Sequence, residues 1–511
     1  MLSTQSLGAP VSARAGASGE TVESDTDCGG SELAARFAAG LSVPRRSNLT
    51  GSLAAQEQTP AARWDPGSDR ARLAALRSAL ASETDPLTAV TELLRWCRDD
   101  HAVLWEQLGE PASQAWRARG LSHLREGLEG PAQLPMVDAS TRALIDAALS
   151  QVPDRVPGVV AAHVLAQVLD ARYAAGFGRA FRRHGPAELA VGDPLPLDDP
   201  GLRHVVSVAL TSPPWRLANR LDETRHVRLA GRWAEEFSVI LDYRLNGALS
   251  DLADASTVIA TCHPNRNVDE LSLGQRRPGR LFPVGPADEA AQQVVLDALI
   301  TRAVAAGARV VVLPELCVTA RMAERLQRWV ERPDGPSVLV AGSFHHRDHG
   351  RGRNTAVVWV RGVADPLLHD KHSPGDRPLP EDIEPNGRPE LRVYVADGWH
   401  LVVAICRDLL NPEAVHALAE LGANLVLVPA MSGRVLAFAG QAAELVGSCQ
   451  AVVAVANNPA TWPHLDGPSA LATRAVFGHP SLAQQTVLVD TADAEPGVAT
   501  LELKSGVSRW L

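Results

Sequence analysis

The sequence predicts an all-helical region followed, from about Ser256, by an α/β layered domain, with a flexible tail in front of both. Two observations carry the division. Between Asp65 and Asp254 large apolar residues recur three and four positions apart, the period that aligns one face of a helix. Beyond Asp254 short β-branched runs alternate with amphipathic stretches, as strands covered by helices do. Residues 1–62 are rich in Ala, Ser, Gly and Thr and poor in large apolar side chains, so burial there cannot offset the entropy of ordering. The expected units are therefore a tail at 1–62, with Ala34–Ala39 as a short helix candidate, a helical domain at 63–254 and an α/β domain at 255–511.

In the helical part, Leu73, Leu76 and Leu80 follow the cap candidate Ser68, and Val160, Val164 and Val168 repeat at helix spacing. A further helix is expected over Asp222–Leu245, aligning Trp233, Phe237 and Leu241. Pro86, Pro111, Pro153, Pro157 and Pro213-Pro214 fall where helices start or connect. Nothing in this half forms a chemical motif, and the default expectation is an interaction or regulatory module that binds a protein partner.

In the α/β part, strands are expected at Thr257–Thr261, Arg309–Leu313, Ser337–Gly342, Thr355–Arg361, Leu391–Val395, Leu401–Ile405, Asn424–Val428 and Ala451–Ala456. Helices are expected at Ala287–Ala306, Thr319–Glu331, Pro412–Leu421 and Val435–Ser448.

Bulk properties exclude several classes. With 511 residues, 45% of them hydrophobic and 21% charged, the chain has the material for two globular cores. A net charge of -10 argues against a nucleic-acid surface, which needs concentrated Lys and Arg. The six cysteines are scattered, with no CxxC pair or metal spacing, as in a reduced cytoplasmic protein. No apolar run approaches the ~20 residues that span a bilayer, and the N-terminal stretch has no apolar leader core, so a cytoplasmic location without membrane contact is expected. His345, His346 and His349 cluster in a Gly/Arg-rich loop without accompanying Cys or carboxylates and read as solvated rather than metal-bound. No phosphate loop, zinc-protease helix or serine elbow is present, and neither cofactor nor metal is implied.

Three residues stand where chemistry could be done. The run Val310-Val311-Val312-Leu313 delivers Pro314-Glu315 to a sheet rim, where a carboxylate can serve as general base or, more plainly, as a helix-end or ion-pair glutamate. Lys371 follows the strand-like Pro366-Leu367-Leu368 between two histidines, in a position where a solvated surface charge is the ordinary alternative. Cys406 ends the apolar run Leu401–Ile405 just before a helix at Pro412, so its thiol sits in an elbow whose N–H groups can stabilise an anion; a buried inert thiol is the alternative. Base, cation and nucleophile thus occur in order, each at a strand end.

These motifs resemble the nitrilase superfamily, the carbon-nitrogen hydrolases. The likeness rests on Pro314-Glu315, on Lys371 in its His-rich context and on Ile405-Cys406-Arg407-Asp408 followed by Pro412-Glu413. Further landmarks are Gly342-Ser343, Arg353-Asn354-Thr355, Gly422-Ala423-Asn424 and Val428-Pro429-Ala430. The resemblance covers roughly residues 256–490 and implies an α-β-β-α sandwich that pairs into at least a homodimer. It further implies a Glu315-Lys371-Cys406 triad, a thioester on Cys406, and an oxyanion held by Lys371 and the Arg407 N–H. A second glutamate is expected between lysine and cysteine, either Glu381 or Glu384, with Glu381 favoured by its distance before the Pro385-Asn386-Gly387 turn. Arg407-Asp408 departs from the Trp-Glu of nitrile-cleaving members and points to a small amide or carbamoyl substrate. Met431 and Ser432 are expected to line the pocket, and Asn457-Asn458 either to line it or to cap a loop. The competing readings are a non-catalytic ligand-sensing or assembly domain, and an acyltransferase using the same thioester.

Overall fold

The computed structural model describes residues 64–81, 85–128, 137–183, 185–196, 221, 224–227, 232–254, 256–376, 380–385, 387–464 and 467–511. The expected tail and its Ala34–Ala39 helix lie outside the described residues, as do Cys28 and Pro213-Pro214.

Among the described residues six helices come first: α1 (Pro66–Ala81), α2 (Pro86–Asp99), α3 (His101–Gly109), α4 (Pro111–Gly127), α5 (Ala139–Ser150) and α6 (Gly158–Arg183). Pro86 and Pro111 each occupy a first turn, where a missing N–H costs nothing. The α2 and α5 starts are capped by Asp85 and Asp138, whose carboxylates accept the N–H groups of Thr88 and Thr141 at 2.9 Å. The expected cap Ser68 is instead inside α1, and the Asp65 carboxylate accepts the N–H groups of Gly67 and Ser68. α6 is the hub: Val159 to Ala162, Val164, Leu165, Val168 and Leu169 are all buried, and α2 and α4 pack on it. A helix apolar on most sides belongs inside a bundle.

The helical pattern ends before Asp254. In place of the expected Asp222–Leu245 helix are strands and one short turn of helix. After β1 (Ala187–Leu189) and the β2 (Pro194–Pro196)–β3 (Thr224–His226) pair come α7 (Trp233–Glu236) and β4 (Ser238–Asp242). Four-residue spacing aligned Trp233, Phe237 and Leu241, yet the buried Val239 and Leu241 alternate with the less buried Ser238 and Ile240 as a strand face requires. β4 is hydrogen-bonded into the sheet of the C-terminal half, so the layered domain begins upstream of residue 255.

The remaining elements are β5 (Val258–His263), the β6 (Leu271–Leu273)–β7 (Val284–Pro286) hairpin, α8 (Glu289–Ala305), β8 (Ala308–Val312), α9 (Ala320–Arg325), α10 (Gln327–Glu331), β9 (Val338–Asp348), β10 (Arg351–Val360) and β11 (Leu367–Asp370). Then follow β12 (Glu390–Ala396), β13 (Trp399–Val403), α11 (Pro412–Leu421), β14 (Leu425–Ala430), α12 (Leu436–Cys449), β15 (Val452–Asn457), the β16 (Thr461–His464)–β17 (Gly467–Leu471) hairpin, β18 (Ala475–Gly478), β19 (Thr486–Val489), β20 (Gly497–Glu502) and β21 (Ser508–Trp510). The expected Thr319–Glu331 helix is two shorter ones, α9 and α10.

Two sheets face each other. One has the order β1-β4-β12-β13-β14-β15-β18-β19 and the other β11-β10-β9-β8-β5-β20-β21. Contacts of β15 with β5 and of β14 with β9 join their inner faces, α8 covers the second sheet and α12 the first, giving an α-β-β-α sandwich. The pleat divides each strand's side chains between layers. Val310 and Val312 of β8 enter the inter-sheet core, while Val311 faces the core under α8. β5, β8 and β9 run parallel, as do β13, β14 and β15, so the C-terminal ends of each set open on one rim.

Candidate active site

Glu315 and Cys406 follow strands at those rims. β8 ends at Val312, and Leu313-Pro314 turn the chain so that Glu315 points inward, 2% exposed. Gly342 makes room for this turn: its φ is +73°, and a Cβ there would lie 2.5 Å from the Pro314 carbonyl oxygen. β11 pairs with β10 and releases Lys371, whose N–H donates to the Asn354 carbonyl at 2.8 Å. Glu381 is fixed by a bridge to Leu281, with the Leu281 N–H donating to Pro380 and the Asp382 N–H to Leu281.

These elements bring three charged groups together. Lys371 Nζ donates to Glu315 Oε1 at 2.7 Å and to Glu381 Oε2 at 2.6 Å, and all three side chains are almost fully buried. The two N–H bonds of the Asn354 amide bridge the same carboxylates, reaching Glu315 Oε1 at 2.9 Å and Glu381 Oε1 at 2.8 Å. Glu381 also receives the Gly375 N–H and His345 Nε2, at 2.9 and 2.8 Å. The Val284 N–H donates to His345 Nδ1 at 3.0 Å, so this imidazole carries its proton on Nε2 and donates it to Glu381. Glu384 is held elsewhere, by Arg277 at 2.7 Å on a part-exposed surface.

The electrostatics follow from this inventory. Burial drives the Glu315 carboxyl above its ordinary range, Lys371 opposes the rise, and the neighbouring Glu381 adds to it. Burial acts on Glu381 in the same sense, but Lys371 and His345 outweigh it and hold that group well below the usual range. Burial alone would lower the Lys371 pKa; the flanking carboxylates reverse this and keep it a firm cation. Burial, then Glu315, push the Cys406 thiol well up, so at rest it keeps its proton and needs a base.

Cys406 opens a 3-10 turn, Cys406–Leu410, directly behind the strand-like Ala404-Ile405. Its φ is +48°, a conformation that costs a non-glycine residue about 1–3 kcal/mol. Asp408 holds the strained elbow closed. Its buried carboxylate accepts the N–H groups of Ile405, His372 and Ser373 at 3.1, 3.1 and 2.8 Å, and His369 Nε2 lies 3.1 Å away. One carboxylate therefore ties the lysine loop to the cysteine elbow. Phe237, from the segment before β4, packs edge-on to His372 with centroids 5.1 Å apart.

Of the other residues expected at the site, Met431 places its carbonyl oxygen 3.9 Å from Cys406 Sγ. Ser432 is clamped by Asn457, which accepts its N–H and donates to its carbonyl, both at 2.9 Å. Asn457 is thus a loop cap, as is Asn458, whose amide bonds to Asn265 at 2.8 Å. The Arg407 side chain is half-exposed and pairs with Asp376, leaving only its backbone near the thiol. His345 was expected in a solvated loop; it is instead buried in β9, opposite Asn354 of β10. His346 donates to or accepts from Thr355 Oγ1 at 2.7 Å, and His349 is exposed. Among the described residues no cluster of His, Cys, Asp and Glu is arranged to hold a metal ion, and no helix is long and apolar enough to cross a membrane.

The chain was compared with known proteins. No curated protein matches it. Among solved structures it is similar to an amidase from Nesterenkonia sp., with 19% identity over 49% of this chain and 91% of that one, at a TM-score of 0.37. It is likewise similar to a mutant of the Nesterenkonia sp. AN1 amidase showing covalent addition of the acetamide moiety of fluoroacetamide at the active site cysteine, with 20% identity, 49% and 91% coverage and a TM-score of 0.37. Another mutant of that amidase, described as from the nitrilase superfamily, gives 20% identity, 48% and 91% coverage and a TM-score of 0.36. Residues 283–472, which contain Glu315, Lys371, Glu381 and Cys406, match the model of the carbon-nitrogen hydrolase family. Residues 283–472, which hold the site, are therefore the part of the chain that matches the carbon-nitrogen hydrolase family.

Proposed function

We propose that the chain hydrolyses a non-peptide amide or carbamoyl-type C–N bond through a thioester on Cys406. The observation that carries the reading is the buried Lys371 ammonium bridging Glu315 and Glu381 beside the thiol. Glu315 is the carboxylate with the raised pKa, which suits a base that must accept a proton and give it back. It takes the thiol proton as sulfur attacks the carbonyl carbon. The resulting oxyanion is met by Lys371 and by the Arg407 N–H at the start of the 3-10 turn, where N–H groups have no partner within the turn. Glu315 then protonates the departing nitrogen, the C–N bond breaks and the amine leaves. Water, deprotonated by Glu315, attacks the thioester, and sulfur departs and regains its proton. Amide and water have become carboxylic acid and amine. Glu381 takes no proton in this scheme and holds Lys371 in place.

The test is a panel of simple carboxamides with mass spectrometry of the protein during turnover. An acyl adduct on Cys406, with Cys406→Ala and Glu315→Gln each slowing turnover about 10²–10⁴-fold, is the expected result. Near-normal turnover by folded Glu315→Gln would remove Glu315 as the base.

A further inference from the structure

Resting on that reading, we infer that Arg276 and Asp382 are a positioning pair for the reaction, their ion pair anchoring the segment that presents Glu381 to Lys371. Glu381 belongs to no strand of either sheet. Its segment is joined to the fold by the bridge to Leu281 and by the Glu384 N–H, which donates to the Gly352 carbonyl at 2.9 Å. Arg276, in the connection between β6 and β7, ties that segment to the turn between β9 and β10. Its Nε donates to Asp382 Oδ2 at 2.7 Å, Nη1 to the Gly350 carbonyl at 3.0 Å and Nη2 to Glu384 Oε1 at 3.4 Å. Gly352 permits the close approach, because a Cβ there would overlap the Asp382 carbonyl oxygen. The guanidinium also lies over the Phe282 ring, 5.4 Å from its centroid. Phe282 in turn stacks on His345 with centroids 5.0 Å apart, and His345 donates to Glu381. Arg276 thus reaches Glu381 by two routes, through the neighbouring residue Asp382 and through Phe282 and His345.

The pair is buried where its neighbours are not. The Asp382 side chain is 1% exposed and that of Arg276 14%, whereas Arg277, which reaches the same carboxylate at 3.5 Å, is half-exposed. A planar guanidinium fixes direction as well as distance, and a lysine ammonium in its place would fix distance alone. In the proposed mechanism Lys371 meets the oxyanion, so a small displacement of Glu381 weakens binding of the transition state more than binding of the substrate. It also changes the base. The titratable groups acting on Glu315 are Lys371, Glu381 and Cys406. Moving Glu381 away takes an anion from beside Glu315 and leaves Lys371 to it alone, and both changes favour the ionised carboxylate.

The experiment compares Arg276→Gln, Asp382→Asn, the two combined, and Arg276→Lys in the full chain, with the exposed Arg351→Gln as control. Four readouts are taken: kcat and KM on a carboxamide, the pH–rate profile, the pH dependence of Cys406 alkylation by iodoacetamide, and the denaturant midpoint. In folded Arg276→Gln and Asp382→Asn, kcat falls about 10- to 100-fold while KM stays within about twofold. The acid limb of both pH profiles moves down by roughly half a pH unit or more. The combined variant loses no more than the worse single one, because the two residues act as a unit. Arg276→Lys, which keeps a charge beside Asp382, recovers part of the loss, and Arg351→Gln matches the wild type. An unchanged kcat, a lowered midpoint with the acid limb in place, or losses that multiply in the combined variant overturn the positioning role. Should Arg276→Gln and Asp382→Asn not fold, Arg276→Lys decides: a lower kcat with a displaced limb supports the pair, and an unmoved limb overturns it. No turnover of any carboxamide by the wild type removes the hydrolase reading, and the alkylation profile then decides the pair by itself.

Discussion

Two glutamates share one lysine, and what separates them is the number of other donors. Glu381 has Lys371, His345, Asn354 and the Gly375 N–H around it, while Glu315 has Lys371, Asn354 and the thiol. The first carboxylate is thereby fixed as an anion and the second left able to titrate. The proposed mechanism needs Glu315 ionised, and burial raises its pKa, so kcat/KM should fall with decreasing pH at values above the ordinary carboxylate range, as a pH–rate profile would show. A limb at the ordinary value near 4 would contradict the assignment. The thiols give a second check. Burial raises Cys97 to about 12 and lifts Cys262 and Cys317 further; Cys406 has the Glu315 carboxylate beside it, and iodoacetamide should modify it faster than Cys262, Cys317 or Cys449 in the folded protein. The sequence set Glu315, Lys371 and Cys406 at strand ends and the family resemblance joined them; the structure brings Lys371 and Glu315 into contact. Sequence reasoning missed His345 because Gly342-Ser343 reads as a break, whereas β9 bends at Gly342 and continues to Asp348, carrying His345 opposite Asn354.

At the scale of elements, the elbow and the lysine loop are tied together because both are hydrogen-bonded to Asp408. Asp408→Asn keeps the shape but replaces an anionic acceptor of several N–H groups, and should cost about 1–3 kcal/mol of stability together with most of the activity. Denaturant midpoints and kcat/KM measured on the same sample would check this; an unchanged midpoint contradicts it. The α/β strands were legible because buried parallel strands are continuous apolar runs. The Asp222–Leu245 segment was not, because Trp233 opens one turn of helix, Phe237 is the extended residue that ends it and Leu241 lies in a strand, and four-residue spacing across that junction has no single structural cause.

At the scale of the whole molecule, the division expected near Asp254 is crossed by structure. Leu249 and Leu252 are fully buried, the N–H groups of Gly247 and Leu249 donate to the Asp397 carboxylate, and β4 pairs with β12. A fragment 256–511 should therefore be poorly folded and should lose the distinctive reactivity of Cys406, since it lacks β4 and the Phe237 that packs on His372. A soluble 256–511 fragment with a reactive Cys406 would show that the upstream strands are dispensable. Stability should also respond to pH through buried imidazoles. Burial depresses His263 to about 3 and lowers His372 and His479. Below about 6.5 the unfolded chain takes up protons that the folded one refuses, so stability present above that pH is lost as pH falls toward 3. Chemical denaturation at pH 7 and pH 5 should give the lower midpoint at pH 5.

The pairing of β4 with β12 also sets an order of events during synthesis. Ser238 lies opposite Glu390, 152 positions later (390 minus 238). At the usual ~5–20 residues per second, β4 is made roughly 8–30 s before its partner. Until then the edge of β4 that β12 will cover is open to strangers, a window in which an unpaired strand recruits other chains. Nascent chains halted before residue 390 should bind chaperones at this segment, and those released beyond β15 should not.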